Sequence, residues 1–363
     1  MDRLCRRIRR ASCWCIILLL AAALTAGSAS ARRHHHAKSK SHAHSTRHRH
    51  SSAHRVKSRR TSLQAAPAAG PGGTQLAGAK RHRHVSRAYA SRRLRRHRRG
   101  RELAFLGFDS TGQPRLRSRA AIVYDPDSDR VLYAKNPDQR LPIASLTKIM
   151  TALVLLETQP EWDSVVAMTR EDIHDASRTR LRAGERIRKR DLLQLALMVS
   201  DNAATRALVR TSGIAHDEFL ARMNARARAL GMTGTRFEEE TGLDPGNVSS
   251  VRDYARLMAA ACKYPLVAEV TSTPHYEFRT SRGAHVLANT DRLLYGNYDV
   301  MGGKTGFINE AGYCFATVVR AAGRQLVSVV LGAPTKGTRF LETARLIDWA
   351  GAVSQPLQAR SGN

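Results

Sequence analysis

A long basic segment limits which part of this 363-residue chain can fold. Residues 32–101 contain 21 Lys or Arg and 11 His but no Asp or Glu, and Ser, Ala, Gly and Pro make up most of the remainder. Such a composition offers too little apolar surface to offset the entropy lost when the backbone is ordered. We therefore expect a disordered Arg/His-rich tail at 32–101, followed by one folded domain at 102–363 that is long enough to bury a large core.

The first 31 residues have the pattern of a secretory signal peptide. Five arginines precede an apolar run at 16–24, and Ala29-Ser30-Ala31 forms a cleavage site. The alternative, an uncleaved membrane anchor, fits less well because the run is shorter than the roughly 20 residues that span a bilayer. The pattern therefore predicts a secreted chain that is cleaved near Ala31.

Most of the positive charge lies in the tail. Of the formal net charge of +30, residues 32–101 contribute +21 and the first 31 residues +4, so only +5 remains for 102–363. Nucleic-acid-binding proteins usually place basic residues on the folded module, with aromatic residues for stacking, whereas Tyr89 is the tail's only aromatic residue. We expect no nucleic-acid partner. The tail would instead contact anionic envelope polymers or lipid head groups, or act only as a solvated spacer.

The histidines and cysteines of the sequence give only weak evidence for a metal site or a disulfide. The histidine run at 34–36 would hold a metal ion only loosely, so we expect neither a dedicated metal site nor a cofactor. Three of the five cysteines lie in the first 31 residues, which leaves Cys262 and Cys314 for an exported chain. An oxidising compartment permits a disulfide between them, but Cys314 is equally well interpreted as a small buried core residue.

The domain shows sheet patterns at both ends. Apolar runs at 120–125 and 131–134 flank the turn sequence Pro126-Asp127-Ser128-Asp129 and predict a β-hairpin. Alternating residues at 312–320 and 325–331 predict two paired strands.

Helical patterns occupy the middle and the end of the domain. The stretches 146–156, 191–199 and 203–209 are apolar, and 339–350 has helical periodicity. We therefore expect an α/β (α+β) fold in which the terminal segments share one antiparallel sheet flanked by helices.

Ser145-Leu146-Thr147-Lys148 places a hydroxyl and an amine one helical turn apart at the start of the first apolar helix. A serine hydroxyl is a weak nucleophile until a base accepts its proton, and a buried lysine becomes such a base when desolvation lowers its pKa. Alone, this short pattern also describes a helix-capping serine beside a surface lysine.

Two further motifs follow it. Ser200-Asp201-Asn202 lies 55 residues after Ser145, between two predicted helices, and Lys304-Thr305-Gly306 lies 104 residues further on, ahead of a predicted strand. With three motifs in this order, the domain resembles the serine penicillin-binding proteins and serine β-lactamases over about residues 115–350. The resemblance implies a β-lactamase/transpeptidase-like fold.

The resemblance also implies catalytic roles. Ser145 would be the nucleophile, Lys148 its proton acceptor and Ser200 a proton relay. Asn202 would hydrogen-bond Lys148. The backbone amides of Ser145 and Phe307 would form the oxyanion hole that stabilises a tetrahedral intermediate.

Four residues would bind substrate by the same resemblance. Asn202 would contact the substrate amide, while Lys304 and Thr305 would hold its terminal carboxylate. Gly306 would let the substrate lie against the strand.

The implied substrates are the peptide stems of bacterial peptidoglycan, with β-lactams as acylating inhibitors. Residues 289–294 and 304–314 look most like periplasmic D-alanyl-D-alanine endopeptidases, which cut crosslinks, and 238–250 resembles low-molecular-mass D,D-peptidases. The Glu-x-x-x-Asn element of class A β-lactamases does not occur between the second and third motifs. Two alternatives stay open, a D,D-carboxypeptidase that removes terminal D-Ala and a non-catalytic peptidoglycan-binding protein.

Overall fold

The computed structural model describes residues 107–177 and 179–353. The expected signal peptide at 1–31 and tail at 32–101 lie outside the described residues. The domain boundaries therefore stay predictions.

Eleven strands and eight α-helices occur in this described part. The strands are β1 (Ala120–Asp125), β2 (Arg130–Lys135), β3 (Leu141–Pro142), β4 (Val165–Ala167), β5 (Arg186–Arg188), β6 (Val248–Ser249), β7 (His275–Thr280), β8 (Gly283–Ala288), β9 (Asp299–Ile308), β10 (Gly312–Ala321) and β11 (Arg324–Ala333). The helices are α1 (Thr147–Glu157), α2 (Arg170–Ile173), α3 (Lys189–Met198), α4 (Asn202–Arg210), α5 (His216–Ala229), α6 (Val251–Ala261), α7 (Pro265–Ser272) and α8 (Lys336–Val353).

The largest sheet has the strand order β2-β1-β11-β10-β9, and every neighbouring pair in it is antiparallel. Strands from both ends of the domain therefore pair in one sheet, as the sequence predicts. The predicted hairpin is β1 and β2, and the two predicted C-terminal strands are β10 and β11. Three smaller two-stranded sheets are β3-β6, β4-β5 and β7-β8.

The turn between β1 and β2 follows from its aspartates. The Asp125 carboxylate accepts hydrogen bonds from the backbone N–H groups of Asp127 and Ser128, at 3.0 and 3.2 Å. Asp129 adopts a left-handed φ of 52°, a conformation that aspartate tolerates better than most residues. Local side-chain chemistry thus reverses the chain here.

Both faces of the large sheet are covered. On β1, Ala120 and Ile122 belong to a core cluster with the helices of the middle of the chain. The alternate residues Ala121 and Val123 belong to a second cluster, which includes Phe340 of α8. Because successive strand residues point to opposite faces, the sheet is a central layer between α8 and the remaining helices.

Helix α1 is surrounded by other elements. Its residues 147–155 are all buried, and it contacts α3, α4, α5 and α6. The predicted helices at 146–156, 191–199, 203–209 and 339–350 all occur, with ends that differ by up to three residues. No helix within 107–177 or 179–353 is long and apolar enough to cross a bilayer.

The third motif precedes the predicted strand β10, as expected, but it also lies in a strand that the sequence pattern did not predict. Lys304-Thr305-Gly306 belongs to β9, an edge strand of the large sheet. The motif therefore belongs to a sheet edge that contacts residues 144–146, directly before α1.

Candidate active site

Ser145 lies in a 3₁₀ turn, Ala144–Leu146, that leads into α1. Ala144 has a left-handed φ of 51°, a strained conformation for a residue with a Cβ atom. The Ala144 carbonyl accepts from the Thr147 hydroxyl at 2.8 Å, and Gly242 packs so closely that a Cβ atom there would lie 2.0 Å from the same oxygen. The surrounding structure thus maintains a turn that presents the half-buried Ser145 to the outside.

The Lys148 amine is 3.1 Å from the Ser145 hydroxyl oxygen. It also donates to Asn202 Oδ1 at 2.6 Å and to the Thr241 carbonyl. A neutral amine has two hydrogens and one lone pair. When the amine is charged, it donates to Ser145 as well as to Asn202 and Thr241. When it is neutral and Asn202 and Thr241 accept its two hydrogens, its lone pair can face Ser145, which is the geometry that a proton acceptor needs.

Burial changes the acidity of this amine. Lys148 is 1% exposed, and loss of hydration lowers its pKa from 10.5 to about 8. The carboxylates of Glu239 and Asp201 oppose this change. A pKa near 8 means that a useful fraction of Lys148 is neutral near neutral pH.

The Thr241 carbonyl is held by a compact loop that the sequence did not reveal as part of the site. The Glu239 carboxylate accepts from the Thr241 backbone N–H at 2.7 Å, from its hydroxyl at 2.6 Å and from the Gly242 N–H. The Asn247 amide donates to Glu239 Oε1 at 2.9 Å and to Thr147 Oγ1 at 3.0 Å. This network attaches the loop to the first turn of α1.

Ser200 lies at the junction of α3 and α4 with a left-handed φ of 65°. The junction is held by Asp201, which caps α4 by accepting from the Ala204 N–H at 3.0 Å and also accepts from the Thr179 hydroxyl at 2.9 Å. Ser200 Oγ accepts a 2.8 Å hydrogen bond from the Lys304 amine. Asp201 therefore positions the motif, while Ser200 and Asn202 project toward the two lysines.

Lys304 forms the second serine–lysine pair. It is 1% exposed, and its amine also donates to the Thr305 carbonyl at 2.8 Å. Burial lowers its pKa well below 10.5, and the positive charges of Lys148 and Arg339 add to this effect. An anion bound nearby would favour the charged form.

Gly306 brings β9 against the nucleophile turn. A Cβ atom at Gly306 would lie 2.8 Å from the Ile143 carbonyl oxygen and 3.3 Å from the Leu146 nitrogen. The next residue is Phe307, so its backbone amide lies next to the point where β9 contacts the nucleophile turn. The two amides expected to form an oxyanion hole belong to segments that touch.

These segments border one cleft of about 510 Å³. Of the eight residues expected to form the site, six line it: Ser145, Ser200, Asn202, Thr305, Gly306 and Phe307. Lys148 and Lys304 are buried beneath this lining, and their amines contact the hydroxyl oxygens of Ser145 and Ser200. The structure thus brings all eight residues together around one opening.

Arg339 lines the same cleft and was missed by sequence reasoning. It is 4% exposed and donates to the carbonyls of Gly306 and Cys314 at 2.9 and 3.2 Å. Its Nε–H has no hydrogen-bond partner among the described residues. A guanidinium in this position is a cation that a substrate carboxylate can approach.

The two domain cysteines are free. Cys314 is buried, as the alternative interpretation held, and burial raises its pKa to about 11. The disulfide that the sequence left open is therefore absent from this structure.

A sheet with helices on both faces, a serine beside a buried lysine and a second serine–lysine pair on the same cleft match the class that the three motifs resemble, the serine penicillin-binding proteins and serine β-lactamases. The sequence matches the Peptidase_S11 family, D-alanyl-D-alanine carboxypeptidase, over residues 108–335. The chain therefore belongs to this family. The expected resemblance, fold class and enzyme class are confirmed.

Relatives and solved structures agree with this assignment. The D-alanyl-D-alanine endopeptidase of Pseudomonas aeruginosa is 38% identical over 242 residues, which cover 65% of this chain and 78% of that protein. The D-alanyl-D-alanine endopeptidase of Escherichia coli K12 is 34% identical over 251 residues, covering 66% of this chain and 79% of that protein. The crystal structure of the Streptomyces K15 DD-transpeptidase is similar with a TM-score of 0.62 at 26% identity, covering 66% of this chain and 98% of that one.

Proposed function

We propose that this protein hydrolyses crosslinks between peptidoglycan peptide stems as a D-alanyl-D-alanine endopeptidase, through an acyl-enzyme on Ser145. The observation that carries the proposal is the position of the buried Lys148 amine, 3.1 Å from the Ser145 hydroxyl oxygen, with Asn202 Oδ1 and the Thr241 carbonyl as its other acceptors. In its neutral form this amine can direct its lone pair at the Ser145 hydroxyl. The same geometry makes a non-catalytic binding protein the weaker alternative, since a binding surface does not need a buried amine beside a serine.

In the acylation step, the Ser145 oxygen attacks the carbonyl carbon of the scissile D-Ala amide as Lys148 accepts the hydroxyl proton. The negative charge that develops on the substrate oxygen would be stabilised by the backbone amides of Ser145 and Phe307. The C–N bond then breaks, and the acyl group remains on Ser145. Water later attacks this ester and releases the stem.

The leaving amine must gain a proton as the C–N bond breaks. Ser200 lines the cleft, and its oxygen is 2.8 Å from the Lys304 amine. We assign it the relay, in which its hydroxyl gives a proton to the leaving nitrogen and regains one from the Lys304 amine that contacts it. Asn202, which lines the cleft as well, would orient the substrate amide through its side chain.

The carboxylate beside the scissile bond would bind to Thr305 and Arg339 at the surface of the cleft. Lys304 contributes its charge from behind, because its amine contacts Ser200 and the Thr305 carbonyl. A β-lactam carries an equivalent carboxylate and would occupy the same position, so it would acylate Ser145.

Endopeptidase activity is favoured over D,D-carboxypeptidase activity by the two relatives named as endopeptidases, at 38% and 34% identity. Both activities use the same acyl-enzyme and differ only in the leaving group, so the alternative remains a D,D-carboxypeptidase. The signal pattern at 1–31 supports action in the periplasm after cleavage near Ala31.

The test uses the full chain and its Ser145→Ala variant, incubated first with a fluorescent penicillin and then with crosslinked muropeptides. Covalent label on the parent alone, together with conversion of crosslinked dimers to monomers, supports the proposal. Loss of terminal D-Ala alone would make the protein a carboxypeptidase. A parent with neither label nor turnover would be a binding protein.

A further inference from the structure

Thr290 connects two of the three motifs, although it belongs to none of them. Its backbone N–H and its hydroxyl both donate to the carbonyl of Met198, the last residue of α3, at 3.0 Å. Its hydroxyl oxygen is also 2.7 Å from the hydroxyl oxygen of Thr305. Thr290 thus joins the helix that precedes Ser200 to the strand that carries Thr305.

The Thr290 hydroxyl has one proton, so two arrangements of hydrogens are possible. In the first, Thr290 donates to Met198 and accepts from Thr305, so the Thr305 proton points away from the cleft. In the second, Thr290 donates to Thr305, and the Thr305 proton is free to point into the cleft. The second arrangement gives up the bond from the Thr290 hydroxyl to Met198, but the Met198 carbonyl keeps the Thr290 backbone N–H as its donor.

We infer that Thr290 is a positioning residue that turns the Thr305 hydroxyl proton toward a carboxylate bound in the cleft. The inference rests on the proposed function, in which Thr305 lines the cleft and meets the substrate carboxylate. An anionic acceptor forms a stronger hydrogen bond than a neutral carbonyl, so its arrival selects the second arrangement. In that arrangement Thr290 donates to Thr305 and strengthens the bond that Thr305 makes to the ligand, because linked hydrogen bonds polarise one another.

The structure makes Thr290 a clean target for substitution. Valine replaces the hydroxyl by a methyl group, which must move slightly away from Thr305 Oγ1, and the Met198 carbonyl keeps its backbone donor when the hydroxyl is removed. Thr290→Val should therefore fold like the parent, which thermal unfolding would verify. Thr290→Ser keeps the hydroxyl and serves as the conservative variant.

The experiment measures acylation of the full chain by a penicillin with a fluorophore on its side chain, and by the methyl ester of the same compound. For Thr290→Val we expect the concentration that half-saturates acylation by the free carboxylate to rise about five-fold, with the limiting rate within about two-fold of the parent. The methyl ester, which has no anionic acceptor, should react equally with both proteins. Thr290→Ser should restore the parent constant.

A double substitution distinguishes this role from a general structural one. In a Thr305→Val background, Thr290→Val should have no further effect, because Thr290 acts through the Thr305 hydroxyl. Equal losses for the free acid and the ester, or additive losses in the double variant, would overturn the inference. A parent that is not acylated overturns the proposed function as well, whereas an acylated parent with an unaffected Thr290→Val variant overturns this inference alone.

Discussion

Gly306 on β9 lies so close to Ile143 that a side chain of any size would collide with the turn that carries Ser145. The ideal Cβ position is 2.8 Å from the Ile143 carbonyl oxygen, a distance that real Cβ atoms do not adopt. The separation between the nucleophile turn and the third motif therefore depends on the absence of one methyl group.

Gly306→Ala should displace β9 from this turn and disturb both the Ser145 position and the Phe307 amide. We expect the rate of acylation by a fluorescent penicillin to fall about ten-fold or more, because small displacements of reacting groups are costly. Gly351→Ala is the matched control, since a Cβ atom there meets nothing within 4 Å and the residue lies in α8. Acylation of Gly306→Ala at the parent rate would contradict the proposed geometry.

The acylation rate should rise with pH. Burial lowers the pKa of Lys148 to about 8, and only the neutral amine accepts the Ser145 proton. The neutral fraction therefore grows as the pH passes through about 8 and then levels off. Acylation rates measured between about pH 6 and about pH 9.5 test this, and a flat profile over that range would exclude Lys148 as the acylation base.

Glu239→Gln should shift that profile to lower pH. The Glu239 carboxylate is the largest of the charges that raise the Lys148 pKa, so its removal should lower this pKa further. The maximal rate should also fall, because an amide cannot accept from both the Thr241 and Gly242 N–H groups in the same way. Glu238→Gln is the control, since Glu238 is exposed and pairs with Arg236. A profile shifted to higher pH would contradict this electrostatic argument.

The tail at 32–101 should add affinity for the wall without changing catalysis. We expect the chain that lacks residues 32–100 to acylate at the parent rate but to bind isolated sacculi more weakly at low salt. High salt should remove the difference, since screening weakens contacts between exposed charges. Equal sacculus binding by both chains at low salt would show that the tail is only a spacer.

Much of the fold could be predicted because its signals are local. The β1–β2 turn follows from aspartates that accept hydrogen bonds from nearby backbone N–H groups, and α1 follows from a nearly all-apolar run. β9 was missed because Gly302, Gly303 and Gly306 obscure the strand pattern. These positions need glycine because residues distant in the sequence pack against them. A Cβ atom at Gly303 would lie 2.5 Å from the Asp291 carboxylate, and no local sequence pattern reveals this contact.

The sequence predicted the site residues that belong to the three motifs, but it did not predict the contributions of Thr241 and Arg339. Thr241 contributes a backbone carbonyl, so its own side chain gives no signal for the contact with Lys148. Arg339 comes from α8, and in a chain with 60 Lys or Arg a single arginine carries little information. Only the packing of α8 on the large sheet places it at the cleft.

The burial of residues 147–155 of α1 has a further consequence. Because lost hydration is the main reason for the low pKa of Lys148, the side chains that exclude water from the core also determine the basicity of the amine. A core substitution far from the cleft that admits water around α1 would return this pKa toward 10.5 and slow acylation at neutral pH, even with every motif residue in place. The pH at which acylation reaches half of its maximal rate would therefore report how completely the core excludes water from Lys148.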